Sequence, residues 1–242
     1  MKKINWLFMF HILTHISLVY MILYASPIHF LISFIVYFLT GSIGMSATYH
    51  RYLSHKSYKA NKWWEYFGSL CGTLGGTGST IAWVAVHREH HRFTDTDQDP
   101  HCPYHKGFFK VQFLSMFYKP NIRYVPDLLR SKFHQVLHKF YWMIHLIYAT
   151  ICFSIDPFSV IYAYLFPSLI LWHAGSSINT LSHFFGTNDN ETKDRSKNHW
   201  FTGIFVWGEG WHNNHHSDPT NYRFGRNNQL DITAKIINII KI

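Results

Sequence analysis

Charge is scarce in this chain. Asp, Glu, Lys and Arg make up 14% of its 242 residues, against about 25% in a soluble domain, too few to coat a globule of this size with solvated groups. The same composition excludes disorder, because 48% of the residues are apolar and a disordered chain needs the opposite balance. Cysteine occurs only at Cys71, Cys102 and Cys152. That odd number, with no C-x-x-C spacing, argues against a disulfide framework and a thiolate zinc site. No internal repeat or low-complexity tract stands out. What is abundant is ring-bearing: aromatic residues reach 19% and there are 19 histidines. Amphipathic rings collect at membrane interfaces as well as in cores, so a bilayer protein becomes the leading class, and the length suits one compact unit.

From Lys3 to Arg51 no Asp, Glu, Lys or Arg intervenes, and the apolar run is interrupted only by Tyr24-Ala25-Ser26-Pro27. A span needs about 20 apolar residues, so this stretch predicts a helical hairpin with spans over 6–23 and 28–47. A cleaved signal peptide fits poorly, since no small-x-small cleavage site precedes the second span. A second hairpin is predicted over 136–155 and 158–178, turning at Asp156-Pro157. Two basic residues then precede the first span, thirteen lie from Arg51 to Lys139, seven follow Asn179, and neither turn holds any. The positive-inside rule puts that side, with both termini, in the cytoplasm. The net charge of +9 is therefore explained by topology and lipid attraction, and no nucleic-acid partner is needed. The predicted fold is all-α and integral to the membrane: a single domain over 1–242, with four transmembrane helices as two hairpins and a cytoplasmic helical cap over 48–135 and 179–242. The glycine-rich segment from Trp63 to Val86 could span or dip. Spanning would split the basic residues between two faces, so it is read as a helix and loop packed at the membrane surface.

Three histidine groups stand on the predicted cytoplasmic side: His50 with His55; His87-Arg88-Glu89-His90-His91; and His212-Asn213-Asn214-His215-His216. The last two share the pattern H-x-x-H-H, which chance would supply roughly 0.1 times in a chain of this histidine content. On a helix, residues three and four apart share a face, so each group aims at least two imidazoles at one point. Eight imidazoles exceed one metal's needs and suit two metals with nitrogen-rich shells. Imidazole alone does not choose among iron, copper, nickel and zinc.

The order His50-Arg51-x-x-x-His55, then His87-Arg88-x-His90-His91 with Asp95, Asp97 and Asp99-Pro100-His101, then Gly208-Glu209-Gly210-Trp211-His212-Asn213-Asn214-His215-His216, resembles the membrane fatty acid desaturases of the acyl-CoA and acyl-lipid Δ9 type. The resemblance runs from about Gly41 to Asp231 and includes Asn179-x-x-x-His183. It implies two non-haem irons held by His50, His55, His87, His90, His91, His183, His212, His215 and His216, with Asn179 joined through water. It implies O2 as co-substrate and a cis double bond, at Δ9, in a saturated chain carried on a lipid or CoA, with no catalytic residue beyond the metal ligands. It also implies an acyl tunnel. Trp83 matches a tryptophan at its bend, and the glycine-rich segment, with Gly75 and Gly76, is a candidate for its wall. No haem electron-carrier domain is fused, so electrons come from a separate ferredoxin or haem protein. Ala85 and Val86 replace an Arg-Asp pair that contacts the nucleotide head group in animal acyl-CoA members, which brings an acyl-lipid substrate level with acyl-CoA. Ala174 and Gly175 replace threonines frequent in the family.

Glu209, Asp95 and Asp99 are candidate acceptors that fix ligand tautomers, with helix capping and surface solvation as equal rivals. His11 and His15, four apart in the first span, could form a haem axial site, but hydrogen bonding between helices is the commoner fate of intramembrane polar groups. A related hydroxylase or oxygenase would keep the same metals. A histidine-rich haem carrier or metal transporter is the reading from another class.

Overall fold

The computed structural model describes residues 5–242; Lys2 and Lys3, counted above with the cytoplasmic charge, lie outside them. All described secondary structure is helical apart from isolated bridges. α1 (Trp6–Tyr24) starts where Asn5 accepts a hydrogen bond from Phe8 N at 3.1 Å, an N-cap satisfying one of the free amides of the first turn. Pro27, pre-set for a first helical position, opens α2 (Pro27–Tyr37), which continues without a break as a π-helical run, Phe38–Ser54. The second predicted span was to end at residue 47. The helix instead carries on through His50, because nothing between Ala47 and Ser54 breaks it. α1 and the continuous run Pro27–Ser54 are long and apolar enough to cross a membrane.

α3 (Lys62–Leu74) and α4 (Thr80–Phe93) are capped by Asn61 and Ser79. α3 is not among the helices long enough to span, and its glycines serve helix packing. A Cβ on Gly44 would fall 2.3 Å from Gly72 N, and one on Gly68 would fall 1.9 Å from Thr48 Oγ1, so α3 and the π run meet backbone to backbone. Short helices follow: α5 (Pro103–Lys106), α6 (Phe108–Leu114), α7 (Pro126–Leu129) and α8 (Lys132–Lys139). α9 (Tyr141–Ile155) bends 69° from α8, and the pair counts as a third membrane crossing only if taken as one broken span. A π turn, Ile161–Leu165, leads into α10 (Phe166–Phe184). The fourth predicted span is largely helical but is not among the helices long and apolar enough to cross a membrane; His173, Ser176 and Ser177 dilute it. α11 (Trp200–Phe205), α12 (His212–Ser217) and α13 (Ile232–Ile240) complete the chain.

The histidines of the first span belong to helix packing. His15 donates from Nδ1 to the His11 carbonyl at 2.6 Å and meets His173 ring to ring, Nε2 to Nε2 at 3.1 Å. His11 lies on Trp172 with centroids 3.8 Å apart.

Gly44→Ala should destabilise the fold by about 1–3 kcal/mol, the usual cost of overpacking. Gly175→Ala, whose added methyl meets nothing within 4 Å, should not. Thermal denaturation of the two variants in detergent separates them.

Candidate metal centre

His50 and His55 are five residues apart, which on an α-helix would leave them about 140° apart around the axis. The π run changes that. Its bonds close over five residues: His55 N donates to His50 O at 3.2 Å, and the Thr48 and Ser54 hydroxyls reach back to the carbonyls of Ile43 and Tyr49 at 2.8 Å. Such π segments favour functional sites, and this one brings His50 and His55 within 5.0 Å, ring centroid to ring centroid.

The nine histidines fall into two groups. In the first, one nitrogen from each of His50, His55, His87, His91 and His215 lies within 4.8 Å of all the others; in the second, His90, His183, His212 and His216 do the same. The two H-x-x-H-H boxes divide oppositely. In α4, His87 and His91, four apart, join the first group and His90 the second. In α12, His212 and His216, four apart, join the second and His215 the first. Adjacent residues on a helix point about 100° apart, so each box reaches both groups.

The donor chemistry fits metal ions. His215 Nε2 lies 3.0 Å from both His50 Nε2 and His91 Nε2, His55 and His87 approach Nε2 to Nε2 at 2.7 Å, and His183 and His212 at 3.2 Å. His90 Nε2 and His216 Nε2 are buried without a partner. Four Nδ1 atoms are already committed to carboxylates as N–H donors. His90 donates to Asp99 at 2.9 Å, His216 to Asp194 at 2.8 Å, His183 to Asp95 at 3.1 Å, and His50 to Glu209. A neutral imidazole that donates at Nδ1 has only a lone pair at Nε2. Buried lone pairs converging on lone pairs are unfavourable unless a cation stands between them. Five of the imidazoles are also held uncharged: burial first, then neighbouring histidines, push His55, His87, His91, His212 and His215 well below the ordinary value.

Glu209 does more than fix a tautomer. It also accepts from the Ser46 hydroxyl and from Arg51 Nη2 at 3.1 Å. Arg51, fully buried, donates from Nη1 to Asp231 at 3.0 Å and lies over the Phe224 ring at 3.9 Å. Burial opposes the Glu209 charge, yet His50 and Arg51 bring its pKa from 4.5 down to about 2. Its ionic ties are therefore complete above pH about 4.5 and are lost as the pH falls towards about 2. Burial likewise opposes the charges of Asp99, Asp194 and Asp95, and histidine partners outweigh it, holding all three below the usual range.

The sequence pointed to Glu209, Asp95 and Asp99 but missed Asp194. It lies in an irregular loop, 22 residues from His216, and no local pattern marks it. The loop is tied down by the box asparagines, which face away from the imidazoles: Asn213 accepts from Asn190 N at 2.7 Å and donates to Ser196 O at 3.2 Å, and Asn214 accepts from Asn198 Nδ2 at 2.8 Å. His101, outside both groups, lies with its ring centroid 5.9 Å from that of His90.

A cavity of about 400 Å³ opens onto the histidines, where His50, His87, His212, Glu209 and Asn179 line it. Asn179 sits one turn before His183 on α10. Trp83 lines the cavity and stacks on His87 at 5.0 Å. Gly75 and Gly76 do not line it. Their missing side chains make room for Leu171 and Phe10, and from this segment Thr77 and Gly78 form the wall instead. The lining also includes Leu7 of α1 and Met116, Tyr118 and Pro120 from the connector after α6.

The sequence profile of the family described as fatty acid desaturase matches residues 25–224. The chain belongs to the fatty acid desaturase family. It is 33% identical over 219 residues to the sn-1 stearoyl-lipid 9-desaturase of Anabaena variabilis, covering 87% of this chain and 80% of the relative. It is 37% identical over 195 residues to the sn-2 palmitoyl-lipid 9-desaturase of Nostoc, covering 76% and 68%. To the Delta-9 acyl-lipid desaturase 1 of Arabidopsis thaliana it is 33% identical over 220 residues, covering 86% and 71%. The match to residues 25–224 contains both histidine groups and, of the cavity lining named above, all but Leu7.

Glu209→Gln leaves buried Arg51 with one anion in place of two, and breaking a buried pair from one side costs about 3–5 kcal/mol. The variant should unfold at markedly lower temperature than the parent at neutral pH, and thermal denaturation in detergent would show it.

Proposed function

We propose that this desaturase family member is an integral-membrane, O2-dependent acyl-lipid desaturase that places a cis double bond, at Δ9, in a saturated chain. The observation that carries the reading is the convergence of nine imidazoles, in groups of five and four, beside an apolar cavity that His50, His87 and His212 help to line. All nine would be ligands, with Asn179 close enough to the cavity to hold a water. Zinc has no redox chemistry, and among the other metals that imidazole suits the resemblance to the di-iron desaturases favours iron. Two irons held there would supply the oxidising power, with O2 as oxidant and two electrons from a separate ferredoxin or haem protein, for removal of one hydrogen from each of two adjacent methylenes.

The chain's own residues orient and exclude water. A methylene offers no charge or hydrogen bond to grip, so position along the acyl chain must come from shape. Trp83, stacked on His87, Met45 and Leu171 make the wall that fixes the distance from chain to metal. The names of the relatives favour a lipid-borne chain over CoA, and Val86, lining the cavity where an acidic residue stands in acyl-CoA members, agrees.

The test is expression in a host with saturated lipids, gas chromatography with double-bond localisation, and iron analysis of purified protein. The expected result is about two irons per chain and a new cis-9 product. His91→Ala and His183→Ala, one from each group, should each lower the iron content and abolish the product. Fewer than about one iron in the parent with no unsaturated product would overturn the reading, and a hydroxylated product would move it to the oxygenase branch.

We infer four crossings, with α8–α9 and the helix from Ile161 to Phe184 adding to the two long apolar runs. Both termini and the metal centre then lie in the cytoplasm, supported by the basic residues falling on one side. Cysteines introduced at Ser26 and Asp156 should react with an impermeant maleimide applied outside intact cells, and one at Lys193 should not. The reverse pattern would invert the topology.

A further inference from the structure

The two histidine groups are not electrically alike. An imidazole that binds through a nitrogen lone pair brings no charge of its own, so the charge of metals between the rings must be balanced by what stands behind them. In the four-histidine group, three of the four rings rest on carboxylates: His90 on Asp99 at 2.9 Å, His183 on Asp95 at 3.1 Å and His216 on Asp194 at 2.8 Å. Among the described residues, the ion pairs of these three carboxylates are with histidines alone. In the five-histidine group only His50 rests on a carboxylate, Glu209, and that carboxylate is shared with the buried Arg51 guanidinium. His215 Nδ1 is buried with no partner. Three unshared negative charges therefore stand behind one metal position, and behind the other one that a cation offsets.

A carboxylate on the far nitrogen strengthens the imidazole as a donor, and in a dry interior its charge is felt across the ring with little screening. Both effects favour the more highly charged state of the metal. Resting on the di-iron reading above, we propose that the position framed by His90, His183, His212 and His216 is the one that gives up an electron first, and that Asp194 is a positioning residue that sets this order. On oxidation the Fe(II) at that position loses one electron to the oxidant and becomes Fe(III), while the five-histidine position stays Fe(II) until a stronger oxidising potential is reached. The inequality would let a donor that delivers single electrons refill the two positions in a fixed sequence.

The test uses the full chain in detergent, loaded anaerobically with ⁵⁷Fe(II) and titrated with ferricyanide, which takes up one electron per step to become ferrocyanide. Mössbauer spectra report each iron separately, independently of turnover. In the parent, a mixed Fe(II)/Fe(III) population should exceed half of the protein midway through the titration. Asp194→Asn should make the first step at least about tenfold less favourable, 59 mV for a one-electron couple, leave the second within about twofold, and be reversed by Asp194→Glu. Should Asp194→Asn lose iron, Asp99→Asn carries the same expectation. Simultaneous oxidation of both irons in the parent, or an Asp194→Asn shift confined to the second step, would overturn the inference and leave the proposed function standing. A parent chain holding fewer than one iron, without product, would remove both.

Discussion

Nine imidazoles converging with their lone pairs in dry protein are stable only around cations, and much of the fold exists to keep them there. Left to themselves, rings whose Nδ1 hydrogens are engaged behind them would turn their lone pairs away from one another. Four carboxylates prevent this by fixing ring orientation from behind, and each comes from a different place in the chain than the ring it holds. The site is thus built by contacts distant in sequence, such as Glu209 with His50 and Asp95 with His183. Arg51 adds a third layer. Without it Glu209 and Asp231 would be buried anions near each other; with it they tie the π run, the third histidine box and the start of α13 into one unit.

Helix register does the rest of the placement. A box of the form H-x-x-H-H on an ordinary α-helix feeds two histidine groups at once, since its first and last histidines fall about 40° apart around the axis while the one between is turned about 100° from the last. Two boxes of opposite assignment, facing each other, supply six of the nine rings. His50 and His55 fit the same group only because their helix is wound with five-residue bonds. That wider helix is held by close contact with α3, where Gly44, Gly68 and Gly72 remove the side chains that would keep the backbones apart.

An all-helical fold and a histidine-rich cluster were legible in the sequence alone, because both rest on signals local to a segment: uncharged runs of span length, and histidines three, four and five apart. Resemblance added His183 and Asn179, which no spacing rule would have joined to the boxes. Elements controlled by distant contacts were hidden. The π winding has no composition signature, so the first apolar hairpin was expected to end at residue 47 and not at Ser54. The glycines at 75 and 76 were read as room for a ligand, although the room is filled by Phe10 and Leu171 from helices far along the chain. Asp194 lies in a loop whose path depends on Asn213 and Asn214, residues that look like spacers within the box.

Those asparagines show how one short motif can serve structure and chemistry together. In α12 the histidines at the first, fourth and fifth places join the two histidine groups, while the asparagines at the second and third face the loop 187–198 and bond to its backbone and side chains. The same turn of helix that presents His216 therefore fixes the loop that carries Asp194, the carboxylate behind His216. A ring and its support are positioned by neighbouring residues on opposite faces of one helical turn. An error in placing the box would move both together, which preserves their 2.8 Å contact at the cost of the distance to the other rings. The geometry of the centre is accordingly set by how α12 docks against α4 and α10 more than by any single hydrogen bond within it.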